Sequence, residues 1–322
     1  MATSGTIGNT RVKTVNIVER AVRRCGLSPA SVTAETLSIA LEDLFSLLMS
    51  ISSRGLNLWC VDHQLLPLVE GQATYVLPPG TLEVLNLIHA TPARIEGTDT
   101  IAATFYQTQF DEAARIVRVG VDFSVAPMGT FEIQTSPDGA IWTTVKIVEG
   151  VIGWNWYDLD PAQTSLYFRV FSATLGIIDD LLLAGEVREI PITPFSRDDY
   201  SQQPNKTFNS LISTNYYFEK LVEPRITLWP VPGDSTRHLS LFRYRQIQDV
   251  GALTDELELP TRWFEAVIWH LALRLSFELP GVDAARRQEV LQMTSSMTFE
   301  VEGTETDNAP IYIAPLIGVY TK

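Results

Sequence analysis

The chain opens with apolar residues at three- and four-residue spacing: Val12, Val15, Val18, Ala21, Val22 and Cys25 share one stripe. That spacing predicts an amphipathic helix. Gly26 is placed to stop it, and Ser28-Pro29 prevents its continuation. A second helix is expected from Thr33, an N-cap residue with Glu35 in the favourable first turn. Leu37, Leu41, Leu44, Leu48 and Ile51 mark its buried face as far as Gly55, and the short connection implies an antiparallel hairpin. From there the period changes from 3.6 to two. Residues 65–69 and 73–77 read as strands around the Glu70-Gly71-Gln72 turn, and residues 83–88 as a third. Strand patterning resumes at 187–192, 216–218, 225–229 and 239–245, with Pro230-Val231-Pro232-Gly233 turning before the last. Helix returns at Pro260-Thr261, with Phe264, Val267, Ile268, Leu271 and Leu275 on one face. Pro280-Gly281 ends it, and Asp283 caps a fourth helix that turns Val290, Met293 and Met297 inward.

Helices at both ends of the chain enclosing a β region predict an α+β fold. The expectation is a four-helix bundle made from the N- and C-terminal hairpins, a central antiparallel β domain and an inserted small β-sandwich. Residues 1–90 and 186–300 form the expected core, 91–185 the insertion, and 301–322 an extended C-terminal arm. Within the insertion, strands follow quickly at 115–123, 129–135, 142–148 and 166–172. Gly129-Thr-Phe131-Glu-Ile-Gln-Thr135 alternates, meets a tight Ser136-Pro137-Asp138-Gly139 turn and returns through Trp142.

Composition narrows the functions. The hydrophobic fraction of 45% and charged fraction of 19% describe a globular protein, and no apolar run approaches the length of a transmembrane helix. Cys25 and Cys60 give neither a disulfide framework nor metal-ligand spacing. The net charge of -14 has the wrong sign for gripping nucleic acid through its phosphates. An acidic wall instead suits a channel along which DNA slides. Against that background the first helix carries Arg11, Lys13, Arg20, Arg23 and Arg24 beside a single Glu19. A solvated face is one reading. The other is a subunit interface in which these cations meet an acidic run at Asp255, Glu256 and Glu258 of a neighbour.

His63, His89, His238 and His270 are scattered, and no phosphate loop, nucleophile elbow or zinc spacing occurs. Asp179-Asp180 and Asp198-Asp199 are adjacent in sequence, so their side chains diverge and make weak acid/base candidates. No catalytic or metal-ligating residues and no cofactor are expected. The candidate glycan platform is Trp154, Trp156 and Tyr157, aromatic rings of the insertion, with core filling as the competing reading. After an acidic spacer, Ile311, Tyr312, Ile313, Leu316, Ile317, Val319 and Tyr320 form an apolar segment broken by Pro310 and Pro315. An extended greasy tail calls for a partner surface or for packing on its own subunit.

Two resemblances add to this reading. The stretch from Ser50 to Pro78, SISSRGLNLWCVDHQLLPLVEGQATYVLP, and Ile226-Thr-Leu-Trp229-Pro-Val-Pro232 resemble the head-to-tail adaptor proteins of short-tailed bacteriophages. That resemblance implies a virion structural protein of the tail or neck, assembled in the host cytoplasm as a homo-oligomeric ring of twelve subunits. Its implied partners are a portal protein, reached through the C-terminal arm, and a tail tube or nozzle protein. Packaged DNA would pass without sequence-specific binding, and no membrane is involved. The insertion, with its Ser136-Pro-Asp138-Gly139-Ala-Ile-Trp142 hairpin and Tyr167-Phe168-Arg169, resembles the discoidin-like, galactose-binding β-sandwich. It implies the alternative function, a carbohydrate-binding module protein of a phage or bacterial surface. A tail-associated glycan hydrolase is a third reading, for which no carboxylate pair stands out.

Overall fold

A computed structural model describes residues 12–28, 33–54, 58–248 and 251–304. In chain order the elements are α1 (Thr14–Arg24), α2 (Ala34–Ser52), β1 (Val61–Pro67), β2 (Thr74–Val76), β3 (Thr81–Arg94), β4 (Thr98–Ala102), β5 (Phe105–Val125) and β6 (Thr130–Ser136). Next come β7 (Thr143–Glu149), β8 (Gly153–Phe171), β9 (Ile177–Pro191), β10 (Thr193–Phe195), α3 (Arg197–Ser201) and β11 (Asn209–Ser210). The last are β12 (Asn215–Glu219), β13 (Arg225–Trp229), β14 (Val231–Pro232), β15 (His238–Arg245), α4 (Phe264–Glu278) and α5 (Ala284–Thr304). They fall into two units, residues 62–245 and a smaller one drawn from both ends of the chain.

Strands occupy 44% of the described residues. The expected α+β fold, a four-helix bundle with a central β domain and an inserted β-sandwich, is therefore corrected: the molecule is mostly β, organised on one curled antiparallel sheet. The reason lies in β5 and β8. Bulges between Gln109 and Ala114 and between Ile116 and Arg118 break the alternation, so the sequence reads as several short strands. The backbone instead runs through as strands of 21 and 19 residues.

In the smaller unit α4 lies centrally, packing against α1, α2 and α5. It buries Phe264, Val267, Ile268, Trp269, Leu271 and Leu275, which leaves it little polar surface. Of the expected α1 stripe Val18, Ala21, Val22 and Cys25 are buried and Val12 and Val15 half-buried, and Ile17, outside that stripe, is buried with them. Cys25 Sγ donates to the Ala272 carbonyl at 3.2 Å, and burial pushes its thiol up to about 11. Thr33 caps α2, accepting from the Thr36 amide.

The larger unit is built on a sheet ordered β1-β15-β3-β9-β5-β8-β6-β7, with β4 added beside β5. Because β5 and β8 bend midway, the sheet closes on itself. Phe131 of β6 touches Phe123 of β5 and Tyr157 of β8 across the interior, at ring separations of 5.4 and 5.6 Å, although β6 is not paired there. Ile116, Val119, Val121, Ile133, Phe168, Val170, Leu181 and Leu183 fill the space between the two layers. A four-stranded sheet, β10-β12-β13-β2, covers the other end of the unit. Its core unites Tyr75, Tyr216, Ile226 and Leu228 with Leu87, Leu239 and Leu241.

Candidate functional site

The three aromatics expected to form a glycan platform do not share one open face. Successive residues of a strand point to opposite sides of the sheet. Trp156 is only 6% exposed, lying flat between Trp154 at 5.2 Å and His238 at 4.4 Å. Tyr157 faces the interior, packs on Phe131 and donates its hydroxyl to the Glu149 carbonyl. Burial alone pushes the Tyr157 phenol far up. Gly120 makes the Trp156 arrangement feasible, since a Cβ there would come within 2.5 Å of the indole ring. The platform is corrected to a buried stack and a core tyrosine.

The expected interface residues find partners inside one chain. Lys13 forms a β-bridge with Glu256, and the Thr14 amide donates to the Asp255 carbonyl. Arg24 pairs with Glu265 at 2.5 Å and lies over the Trp269 ring, while Arg23 pairs with Glu19 at 3.6 Å. Asp255 Oδ2 accepts from the Ala252 amide and Glu258 Oε2 from the Gln248 amide. Arg20 is exposed. Arg11 and the apolar segment of Ile311, Tyr312, Ile313, Leu316, Ile317, Val319 and Tyr320 lie outside the described residues.

An open aromatic and polar face occurs elsewhere, on the outer side of the layer formed by β4, β5, β8, β6 and β7. Tyr106, Phe110, Phe168, Val170 and Ile133 point inward. Alternation therefore turns Phe105, Gln107, Gln109, Tyr167, Arg169, Phe171, Glu132 and Gln134 to the outer side, where Gln134 is itself buried beneath its neighbours. Register aligns them in rows: Phe105, Phe171 and Glu132 in one, and Gln107, Arg169 and Gln134 in the next. Gln109, Tyr167 and Ser136 make the third.

Arg169 is the centre of this face. Its guanidinium carbon sits 3.9 Å from the Trp142 ring centre, 5.0 Å from Phe171 and 5.8 Å from Phe105. Its Nε donates to Gln134 Oε1 at 2.7 Å. Burial under these rings lowers the pKa of Arg169, and the Glu132 charge acts in the opposite sense. Glu132 accepts from Thr144 and Gln134, and these bonds hold its carboxyl below the usual range. Trp142 is delivered by the preceding turn. Asp138 Oδ1 accepts from the amides of Ile141 and Ala140 and from the Ser136 hydroxyl, which depresses its pKa. Gly139, at φ +74°, adopts the left-handed conformation this turn requires and lets the Tyr167 ring approach. Beyond Phe105 the face runs into an apolar cleft of about 340 Å³ lined by Ile101, Tyr106, Leu175, Ile177 and Ile178.

This face offers rings, amides, a fixed guanidinium and a carboxylate. Elsewhere His63 Nε2 lies 2.6 Å from Ser240 Oγ, and Ser240 is 2% exposed. Asp180 is paired with Arg94, and Asp199 closes a capping box with Ser196. Among the described residues no group of three or more histidine, cysteine or acidic side chains is arranged to hold a metal ion. Trp142 and Arg169 were visible in the sequence as motif positions. Phe105, Phe171, Gln107 and Gln134 were not, although the alternation in FYQTQF and LYFRVF carries the signal.

No family model and no curated protein matches the chain. Solved structures do. The C-terminal domain of a chitobiase from Bacteroides fragilis is 14% identical with a TM-score of 0.22, and the match covers 28% of this chain and 64% of that domain. Chitosan-binding module 1 of a chitosanase/glucanase from Paenibacillus sp. IK-5 is 19% identical with a TM-score of 0.21, covering 36% of this chain and 98% of the module. Module 2 of the same enzyme, solved with chitotriose, is 17% identical with a TM-score of 0.21, over 37% of this chain and 96% of the module. The expectation of a phage head-to-tail connector ring built on a helical bundle is corrected by the fold itself, which is mostly β.

Proposed function

We propose that the chain is a carbohydrate-binding protein acting without turnover, with the outer face of β4, β5, β8, β6 and β7 as its saccharide platform. The observation carrying this reading is the placement of Arg169 among Trp142, Phe171 and Phe105, flanked in register by Gln107 and Gln134. Ring faces receive the C–H faces of pyranoses, and the amides of Gln107 and Gln109 and the guanidinium bond the hydroxyls. Arg169 is already fixed by Gln134 and its rings, so little side-chain freedom is lost on binding. Arg169 and Glu132 cancel in charge, which favours a neutral oligosaccharide laid along the face. Calorimetric titration with a panel of neutral oligosaccharides tests the reading. Trp142→Ala is expected to weaken binding at least about tenfold, a loss of about 1.4 kcal/mol. Absence of binding at millimolar sugar, or an unaffected Trp142→Ala variant, refutes it.

A second reading concerns residues 311–320, for which the resemblance to phage adaptor proteins implies a portal protein as partner. What supports it is the position of this apolar segment, which follows α5 after an acidic spacer in the sequence. Removal of residues 309–322 is expected to abolish co-sedimentation with a portal protein. Unchanged co-sedimentation overturns that reading.

A further inference from the structure

We propose that a second site, separate from the outer sheet face, takes an acidic sugar residue such as a uronate in the cleft between α3 and the end of β12. The cleft has a volume of about 550 Å³, within the range of small-ligand sites. Tyr200 and Tyr217 stack at 5.6 Å and 13° along it. Lys206 Nζ lies 5.6 Å from the Tyr200 ring and donates to the Ser201 carbonyl at 3.1 Å, which fixes its position. Arg197 and Lys220 also line the cleft, and Glu219 supplies the opposing charge. Three cations face one carboxylate, on a chain whose net charge is -14. Among the described residues neither Arg197 nor Lys220 makes an ion pair. Exposed cations kept together without internal partners, beside neutral phenols, suit a ligand carboxylate and its ring hydroxyls.

The same features select against nucleic acid. The two tyrosines cover one another, so no open pair of ring faces is offered to successive bases. The acidic remainder of the chain repels a long polyanion, whereas one or two sugar rings present a single local charge. The inference is independent of the outer-face reading, because the two sites share no residue.

Calorimetry on the full chain decides it, using trigalacturonate, a neutral trisaccharide and pentathymidylate as probes. Trigalacturonate is expected to bind at least about tenfold more tightly than the neutral sugar, and to weaken severalfold as salt rises from ~50 to ~500 mM. Lys220→Gln and Arg197→Gln, both at exposed positions, are each expected to weaken it about three- to tenfold with an unchanged melting temperature. Trp142→Ala is expected to leave it unaltered, which separates failure here from failure of the outer face. Equal affinity for acidic and neutral sugars, tighter binding of pentathymidylate, or indifference to Lys220→Gln overturns the proposal.

Discussion

Replacing Gly120 by alanine tests the correction from an open aromatic platform to a buried stack. The added Cβ would lie 2.5 Å from Trp156 Cζ3 and 2.7 Å from Cη2. Ordinary carbon contacts are about 3.5–4.0 Å, so the ring must retreat by roughly 1 Å. Trp154 and the fully buried His238 both stack on that ring and resist its displacement. Overpacking of this kind costs about 1–3 kcal/mol, and loosening each aromatic contact adds about 0.5–1.5 kcal/mol. The strand preference for alanine over glycine returns about 0.5–1 kcal/mol. A net loss of about 1–5 kcal/mol follows, centred near 3 kcal/mol. Urea unfolding measures it, with near-ultraviolet circular dichroism reporting the loss of ordered tryptophan. Gly303→Ala serves as the control, because nothing lies within 4 Å of a Cβ there and its backbone is helical. A Gly120→Ala variant within about 0.5 kcal/mol of the parent, with its tryptophan spectrum intact, would show that Trp156 moves freely, as a platform ring would.

Three further outcomes are expected. Burial, reinforced by Arg118 and the neighbouring histidines, holds the His238 imidazole down at about 3, and burial with Arg237 holds His89 at about 4. The unfolded chain therefore binds more protons between about pH 6.5 and 4, so stability rises with pH there and is lost on acidification, by roughly 1.4 kcal/mol per pH unit per group. Urea midpoints at pH 7 and pH 5 measure this, and His238→Gln should flatten the slope. Cys25 and Cys60 are buried, so a thiol reagent should titrate neither before unfolding and both afterwards; prompt reaction of either thiol would contradict its placement. Asp138→Ala should free the turn before Trp142 and weaken sugar binding on the outer face without touching that residue, which calorimetry reads directly.

What the sequence disclosed follows from which signals are local. The α1 helix and the Thr33 cap depend on neighbours three or four positions away, and both appear in the structure, with Ile17 added to the buried stripe and Val12 and Val15 at its margin. So does the turn around Asp138, whose serine, aspartate and glycine sit within four residues of one another. The glycan platform failed for a different reason. Whether a strand residue faces a core or water depends on which layer covers each side, and that is fixed by pairings far along the chain. Trp156 is covered by Trp154 of its own strand and by His238, 82 residues later. Phe105 and Phe171 are equally apolar, yet they meet across β5 and β8 on the uncovered side of their layer. Aromatic content alone could not rank these two groups. The bulge in β5 between Gln109 and Ala114 is the decisive element, since it turns the strand from one layer into the other. A binding face in this molecule is thus set by where β5 bends, and a deletion within residues 110–113 that removes the bulge should disturb the outer face and the buried tryptophan stack together.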